Sequence, residues 1–98
     1  MSVFMPDFIR NLEEWIIWLL AEEFHQSATI DLIVQRTGYR QEDILIAIAA
    51  LERAKAIAVY RNTKQAMIIE RIRLVPPGMR TYDDLKKKQE SSHPDKRL

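Results

Sequence analysis

The segment "GYRQEDILIAIAALERAKAI", residues 38–57, decides how the rest of this sequence is interpreted. The segment opens with Gly38, and a polar group, residues 40–43, directly precedes eight consecutive apolar residues, 44–51. A surface helix normally has one polar side, whereas a helix that is apolar all round is typical of a buried position. The segment therefore predicts a helix with a polar start and an apolar body, and it leaves open what covers that body.

The composition suits one compact domain. The 98 residues are 47% apolar and 30% charged, and the formal net charge of +1 does not by itself favour nucleic acid or an acidic lipid surface. The absence of cysteine excludes disulfides, thiolate metal sites and cysteine nucleophiles, and it fits a reducing compartment. The charge is uneven, because residues 39–80 carry eight basic and four acidic groups.

No run of apolar residues is long enough to cross a membrane. The most apolar run, residues 15–21, has seven residues, and a bilayer core of about 30 Å takes about 20. The sequence also shows no charged leader followed by an apolar segment and a small-residue cleavage site. We therefore expect a cytoplasmic protein without a membrane partner.

The sequence shows no combination of residues that points to catalysis. The two histidines, His25 and His93, are far apart, and no metal site has a recognisable ligand spacing. The adjacent glutamates at 13–14 and 22–23 diverge on a helix, and neither glycine lies in a phosphate-binding loop. We predict a non-enzyme with no catalytic residue, metal, cofactor or small-molecule substrate.

The first helix is predicted to run from Pro6 and Asp7 to about Phe24. Its apolar stripe at helical spacing consists of Phe8, Leu12, Trp15, Ile16 and Leu19. Trp18 falls among the polar positions of the same helix. Two alternatives remain open: Trp18 packs against its own domain, or it faces a protein partner, since tryptophan is enriched at interface hot spots.

The next two helices are predicted to follow each other closely. Thr29 or Ser27 can cap the second helix, and Gly38 can end it. The third helix then runs from about Arg40 to Ala54. Its core side, by helical spacing, consists of Ile44, Ile48 and Leu51.

A change to two-residue periodicity after the third helix predicts a β-hairpin. Its strands are Ile57–Arg61 and residues 66–74, joined by the polar turn 62–65. Prolines 76 and 77 with Gly78 stop the second strand, and Thr81 with Asp84 has capping-box spacing for a last helix. We predict a domain over residues 1–80, a C-terminal helix over 81–90 and a flexible polar tail over 91–98.

This order of elements resembles a winged helix-turn-helix domain. The resemblance covers residues 29–80: Gly38 ends the second helix, and Leu51 and Glu52 stand near the end of the third. It implies a mostly α fold with a small β-hairpin (α+β), with three helices, a two-stranded wing and a C-terminal helix. Lys55 stands at the position after the third helix where winged helix-turn-helix sequences usually have glycine. A left-handed lysine costs on the order of 1 kcal/mol, so we expect another turn shape there.

In DNA-binding proteins of this kind the third helix enters the major groove. Arg40 and Gln41 would then be suited to guanine and adenine. Leu45, Ile46 and Ala49 on the same side offer no hydrogen bonds and at most contact thymine methyl groups. Leaving Leu45 and Ile46 in water forfeits about 1.5–3 kcal/mol each, so a covering surface is expected.

The main hypothesis is therefore a protein–protein interaction module. Trp18, Leu45, Ile46 and Ala49 form its predicted interface, with a second copy of the chain in a homodimer or with another protein. A further alternative is that the hairpin or the last helix folds over the third helix within the same chain.

The alternative function is a DNA-binding transcription regulator, because fold alone does not decide function. Arg40 and Gln41 would read double-stranded DNA, while Arg61, Lys64, Arg71 and Arg73 would contact phosphates. Arg71 and Arg73 share one face of their strand by its two-residue period. A solvated basic sheet edge explains the same residues. Interaction and DNA binding can also coexist in a dimer whose wings touch the DNA backbone.

Overall fold

The computed structural model describes residues 5–91, and the described chain contains four helices and a three-stranded antiparallel sheet. The elements are α1 (Leu12–Glu22), β1 (Ser27–Ala28), α2 (Ile30–Thr37), α3 (Gln41–Arg53), β2 (Ile57–Arg61), β3 (Ile69–Leu74) and α4 (Pro76–Ser91). The predicted α+β class is confirmed. The predicted tail lies outside the described residues except for Ser91, which ends α4.

Helix α1 begins at Leu12, so the predicted start at Pro6 is wrong. Asn11 is the N-cap: its backbone is extended, and its side-chain oxygen accepts a hydrogen bond from the Glu14 N–H at 2.9 Å. The Glu14 carboxylate in turn accepts bonds from the backbone N–H and the guanidinium of Arg10. The Asn11 bond satisfies a donor that the first turn of a helix leaves without a partner, and the Arg10 bonds fix the chain that enters the helix, so together they set the boundary.

The α2–turn–α3 pair follows the prediction closely. The Thr29 hydroxyl accepts a bond from the Leu32 N–H at 3.3 Å, and Gly38 ends α2 in a left-handed conformation with a φ of 76°. The buried Thr37 hydroxyl donates to the Ile33 carbonyl and accepts from the Tyr39 N–H. The turn therefore has its polar groups satisfied while it redirects the chain.

The core forms where the inner sides of α1, α2 and α3 meet the sheet. The predicted core side of α3 is confirmed, because Ile44, Ile48 and Leu51 are all buried. They belong to one apolar cluster with residues of α1, α2, β2 and β3. The α3 core side is thus the contact surface around which the other elements are arranged.

The sheet has the strand order β1-β3-β2. Ile57 and Leu74 pair across β2 and β3, and both are buried, together with Ile72. Strand β1 was not predicted, since two residues are too few for a periodic pattern and its pairing with β3 is long-range. Strand β3 begins at Ile69, so residues 66–68 belong to the hairpin loop and the predicted start at 66 is wrong.

The turn after α3 keeps the left-handed shape despite its lysine. Lys55 has a φ of 61°, and the N–H groups of Lys55 and Ala56 bond back to the carbonyls of Glu52 and Leu51, each at 3.0 Å. The expectation of another turn shape is therefore wrong. Two backbone hydrogen bonds and the burial of Ala56 offset a conformational cost of about 1 kcal/mol.

Helix α4 begins at Pro76, five residues before the predicted start at Thr81. Proline suits the first position of a helix, because its missing N–H has no intrahelical partner there and its φ is already helical. The Met79 N–H bonds to the Val75 carbonyl at 3.0 Å and closes the first turn. The predicted boundary at residue 80 falls inside this helix.

Trp18 packs inside its own chain. It is 7% exposed, and its ring lies 4.7 Å from the ring of Phe8 and 5.4 Å from that of Tyr82 on α4. Of the two alternatives, burial within the domain is confirmed. Its assignment to a partner interface is wrong, because α4 and the segment before α1 cover the ring.

Gly78 lies where α4 starts against the end of the α3–β2 turn. A Cβ at this position would meet the Ala56 carbonyl oxygen at 2.2 Å and the Leu74 side chain at 2.6 Å.

We expect Gly78→Ala to lower the free energy of unfolding by about 1–3 kcal/mol, since a side chain would force these elements apart. Denaturant unfolding measures this change. Arg80→Ala at an exposed position of the same helix is the control, expected within about 0.5 kcal/mol of wild type; equal effects would contradict the close approach.

Glu22 links the end of α1 to α4. Its carboxylate accepts bonds from the Tyr82 hydroxyl and, at 3.2 Å, from the Lys86 ammonium. These two donors, Tyr82 first, lower the pKa of Glu22 in the folded chain against the opposing effect of burial. A carboxyl whose pKa is lowered by folding stabilises the folded state above its unfolded pKa, and this contribution is lost as the pH falls through the folded pKa.

We expect Glu22→Gln to lower the free energy of unfolding by less than about 1 kcal/mol at pH 7, because the pair lies near the surface. The difference from wild type should shrink below the ordinary glutamate pKa of 4.5 and vanish below the folded pKa. Urea unfolding across this pH range tests it, with Glu90→Gln at the exposed end of α4 as the control. A deficit that stays constant with pH would exclude the ionised carboxylate as the cause.

Candidate nucleic-acid interface

Helix α3 presents one uncovered stripe to solvent. Glu42, Ile46, Ala49 and Arg53 follow one another at helical spacing, and all four are exposed; we call this stripe the outer face. Ile46 is 68% exposed. No element among residues 5–91 covers it, since α4 packs on α1, so the alternative in which the hairpin or the last helix covers Ile46 is wrong.

Leu45 lies beside the outer face and is only half-buried, because it packs against the core cluster. It also lines a cleft of about 380 Å³ between the starts of α2 and α3 and the hairpin. The other lining residues are Thr29, Ile30, Asp31, Gln41, Met67, Ile68, Ile69 and Glu70. Of the predicted apolar interface, Ile46 and Ala49 are thus the two residues fully available to a partner.

Arg40 and Gln41 form the exposed tip of α3. The Arg40 guanidinium lies 3.6 Å from Asp43 and 3.9 Å from Glu42, and its side chain is 77% exposed. Exposed ion pairs of this kind contribute about 0–1 kcal/mol, so the guanidinium can exchange these carboxylates for another anion. No side chain caps the start of α3, and backbone N–H groups at a helix start favour anionic ligands.

The hairpin loop, residues 62–68, is an ordered turn beside α3. The Asn62 side-chain oxygen accepts bonds from the N–H groups of Lys64 and Gln65, at 2.8 and 3.0 Å. The Asn62 amide nitrogen donates to Glu70 at 2.8 Å, and the Asn62 N–H bonds to the Ile68 carbonyl. This network holds the Lys64 side chain in solvent, where it has no carboxylate partner among the described residues.

Arg61 fastens the hairpin to α3. Its guanidinium donates two bonds of 2.9 Å to the Glu52 carboxylate, and these bonds lower the pKa of Glu52. Planar guanidinium–carboxylate pairs also fix orientation. Arg61 therefore holds the end of β2 against α3, and a phosphate contact would require it to leave Glu52.

Arg71 and Arg73 share one exposed face of β3, as predicted. The residues between and after them, Ile72 and Leu74, are buried on the opposite, core-facing side. The Arg71 guanidinium donates to the Ser27 hydroxyl of β1 at 3.0 Å. These two arginines consequently lie on the outside of the sheet and do not converge with Arg40 and Gln41 at the tip of α3.

Three residues of this surface were missed by the sequence analysis. Met67, 96% exposed, and Ile68 were assigned to a strand, and Arg53 was not among the predicted contact residues. A usable signal was the run at 67–69: three successive apolar residues cannot all face one side of a strand, where side chains alternate. Arg53 stands seven residues after Ile46, which is two helical turns on the same stripe.

Within residues 5–91, no helix is long and apolar enough to cross a membrane. The described part of the chain also brings no three histidine, aspartate or glutamate side chains together in a group that could hold a metal ion.

No family model and no curated protein match this chain. Solved structures are similar to it: YusO from Bacillus subtilis has a TM-score of 0.69 at 17% identity, over 85% of this chain and 57% of that one. The chain has a winged helix-turn-helix fold. In this winged helix, α2 and α3 form the helix-turn-helix and β2–β3 form the wing.

Two further winged-helix structures extend the comparison. Bordetella bronchiseptica BpsR, whose DNA binding is regulated by 6-hydroxynicotinic acid, has a TM-score of 0.66 at 17% identity, over 89% of this chain and 64% of that one. A MarR-family transcriptional regulator from Silicibacter pomeroyi has a TM-score of 0.63 at 17% identity, over 84% and 54%. The chain thus spans between about half and two thirds of these structures, and at such identities the likeness concerns the fold.

Proposed function

We propose that this winged helix is a non-enzymatic, DNA-binding module of a transcription regulator, with the outer face of α3 in the major groove. The observation that carries the proposal is the uncovered outer face, which follows the exposed tip residues Arg40 and Gln41 on a helix to which an ordered wing is attached. An α-helix with its side chains is about 10–12 Å across, which matches the width of the major groove, about 12 Å. The DNA-regulating winged helices named above support this choice over the interaction module that the sequence favoured.

Phosphate contacts would supply most of the affinity. Arg40 at the start of α3, Arg53 at the end of the outer face and Lys64 on the wing loop are exposed cations. Glu42 on the same face and Glu70 on the wing oppose them. This mixed charge predicts modest affinity and strong dependence on salt, because phosphate neutralisation releases counterions.

We expect Lys64→Ala and Arg40→Ala each to weaken duplex binding and to reduce the slope of log K against log salt by about 0.9, the value for one phosphate contact. Fluorescence anisotropy with a labelled duplex over a salt series measures both quantities. Lys87→Ala, an equal loss of charge on the exposed side of α4, should leave the slope unchanged. No duplex binding by the wild-type chain at low salt would refute the proposed function.

Self-association is a second candidate function. It is favoured because two apolar side chains are exposed, Ile46 to 68% and Met67 to 96%. Apolar side chains grouped on one surface are typical of interaction sites. A homodimer through the outer face would compete with DNA for Ile46 and Ala49, so the two functions would use one surface alternately.

For this candidate we expect light scattering to give the mass of a dimer and Ile46→Glu to give that of a monomer. Ile46 is substituted rather than Leu45, because Leu45 also packs against the core and its substitution would change stability as well. Gln35→Glu introduces the same charge at an exposed position of α2 and should not change the mass. A wild-type monomer at high protein concentration would exclude self-association through this surface.

A further inference from the structure

The middle of the outer face carries no hydrogen-bonding side chain. Ile46 and Ala49 occupy it, and the polar members of the face, Glu42 and Arg53, lie toward its two ends. A base pair opposite Ile46 or Ala49 can therefore be recognised only through an apolar group. In the major groove the four base pairs offer one such group, the C5-methyl of thymine.

We infer that the outer face selects thymine in the major groove, with Ile46 and Ala49 contacting the C5-methyl groups of neighbouring bases. This inference rests on the proposed function and names the sequence class that the module prefers. Gln41 at the tip of α3 adds to it, since a glutamine can bond in a bidentate manner to adenine. Glu42 has no role in thymine recognition and stays the one residue of the face suited to cytosine.

The spacing along the helix agrees with contacts to successive bases. Ile46 and Ala49 are three residues apart, which is about 4.5 Å along a helix axis, and base pairs are stacked about 3.4 Å apart. Ile46 is 68% exposed, while the small Ala49 side chain allows a close approach of the helix. The two can thus meet methyl groups on adjacent steps.

Discrimination between A·T and G·C pairs also arises because the middle of the outer face offers no hydrogen-bonding partner to the bases. Any base pair opposite Ile46 loses water from its polar major-groove groups, and a G·C pair gains no methyl contact in return. An unpaired buried polar group is unfavourable. An A·T pair places a methyl group at this contact, so the same side chain favours thymine and disfavours G·C pairs.

The experiment compares an alternating adenine–thymine duplex with one in which deoxyuridine replaces every thymidine. This change deletes only the C5-methyl groups and leaves base pairing, backbone charge and minor-groove edges the same. We expect the wild-type chain to bind the uridine duplex about fourfold more weakly for each methyl that it buries. An alternating guanine–cytosine duplex should bind more weakly still.

Two variants locate the contact. Ile46→Ala should bring the thymine-to-uracil affinity ratio toward one. Because Ile46 is exposed, the variant should keep its fold, which circular dichroism verifies. Lys64→Ala should weaken binding to both duplexes and keep the ratio of the wild type, because a phosphate contact does not sense the methyl group.

The outcomes separate the inference from the proposed function. Equal binding of the thymine and uracil duplexes by the wild-type chain overturns the inference and leaves DNA binding intact. An undiminished ratio in Ile46→Ala also overturns it, since the methyl contact would then lie elsewhere. Failure to bind any duplex at low salt refutes the proposed function itself.

Discussion

The burial of one side of α3 is the constraint on which the rest of this structure depends. Eight successive apolar residues, 44–51, surround the helix, while a domain of this size can pack against only part of that circumference. Ile44, Ile48 and Leu51 take the core, and every other element meets them directly or through one neighbour. Ile46 and Ala49 stay in solvent as a geometric consequence, because they lie on the opposite stripe of the same helix.

Polar contacts then fix the position of the wing relative to α3. The paired hydrogen bonds of Arg61 to Glu52 hold the wing against α3, and the Asn62 side chain orders the wing loop from within. The result is an ordered loop that carries Lys64 and whose Met67 and Ile68 line a cleft with Gln41 and Leu45 of α3. Arg71 and Arg73 take no part in this surface, since the alternation of β3 turns them to the outside of the sheet.

Helix α4 has a different role from the helix expected at the C-terminal end. It begins directly after β3 and packs on α1, where Tyr82 and Leu85 help to cover Trp18. An aromatic residue that looked available to a partner is thereby part of a second apolar cluster. Within residues 5–91 the apolar surface left open is consequently smaller than the sequence indicated, and it comprises parts of α3 and the wing loop and isolated exposed residues such as Leu32.

By itself the sequence determined the features that depend on neighbouring residues: the Thr29 cap, the left-handed Gly38, the extent of α3 and the presence of the hairpin. These rest on backbone conformation, capping and periodicity, which act within a few positions. Only the tertiary structure decided the burial of Trp18, the pairing of β1 with β3 and the absence of a covering element over Ile46 among residues 5–91. Each depends on which distant element arrives at a surface, and periodicity along the chain does not indicate that.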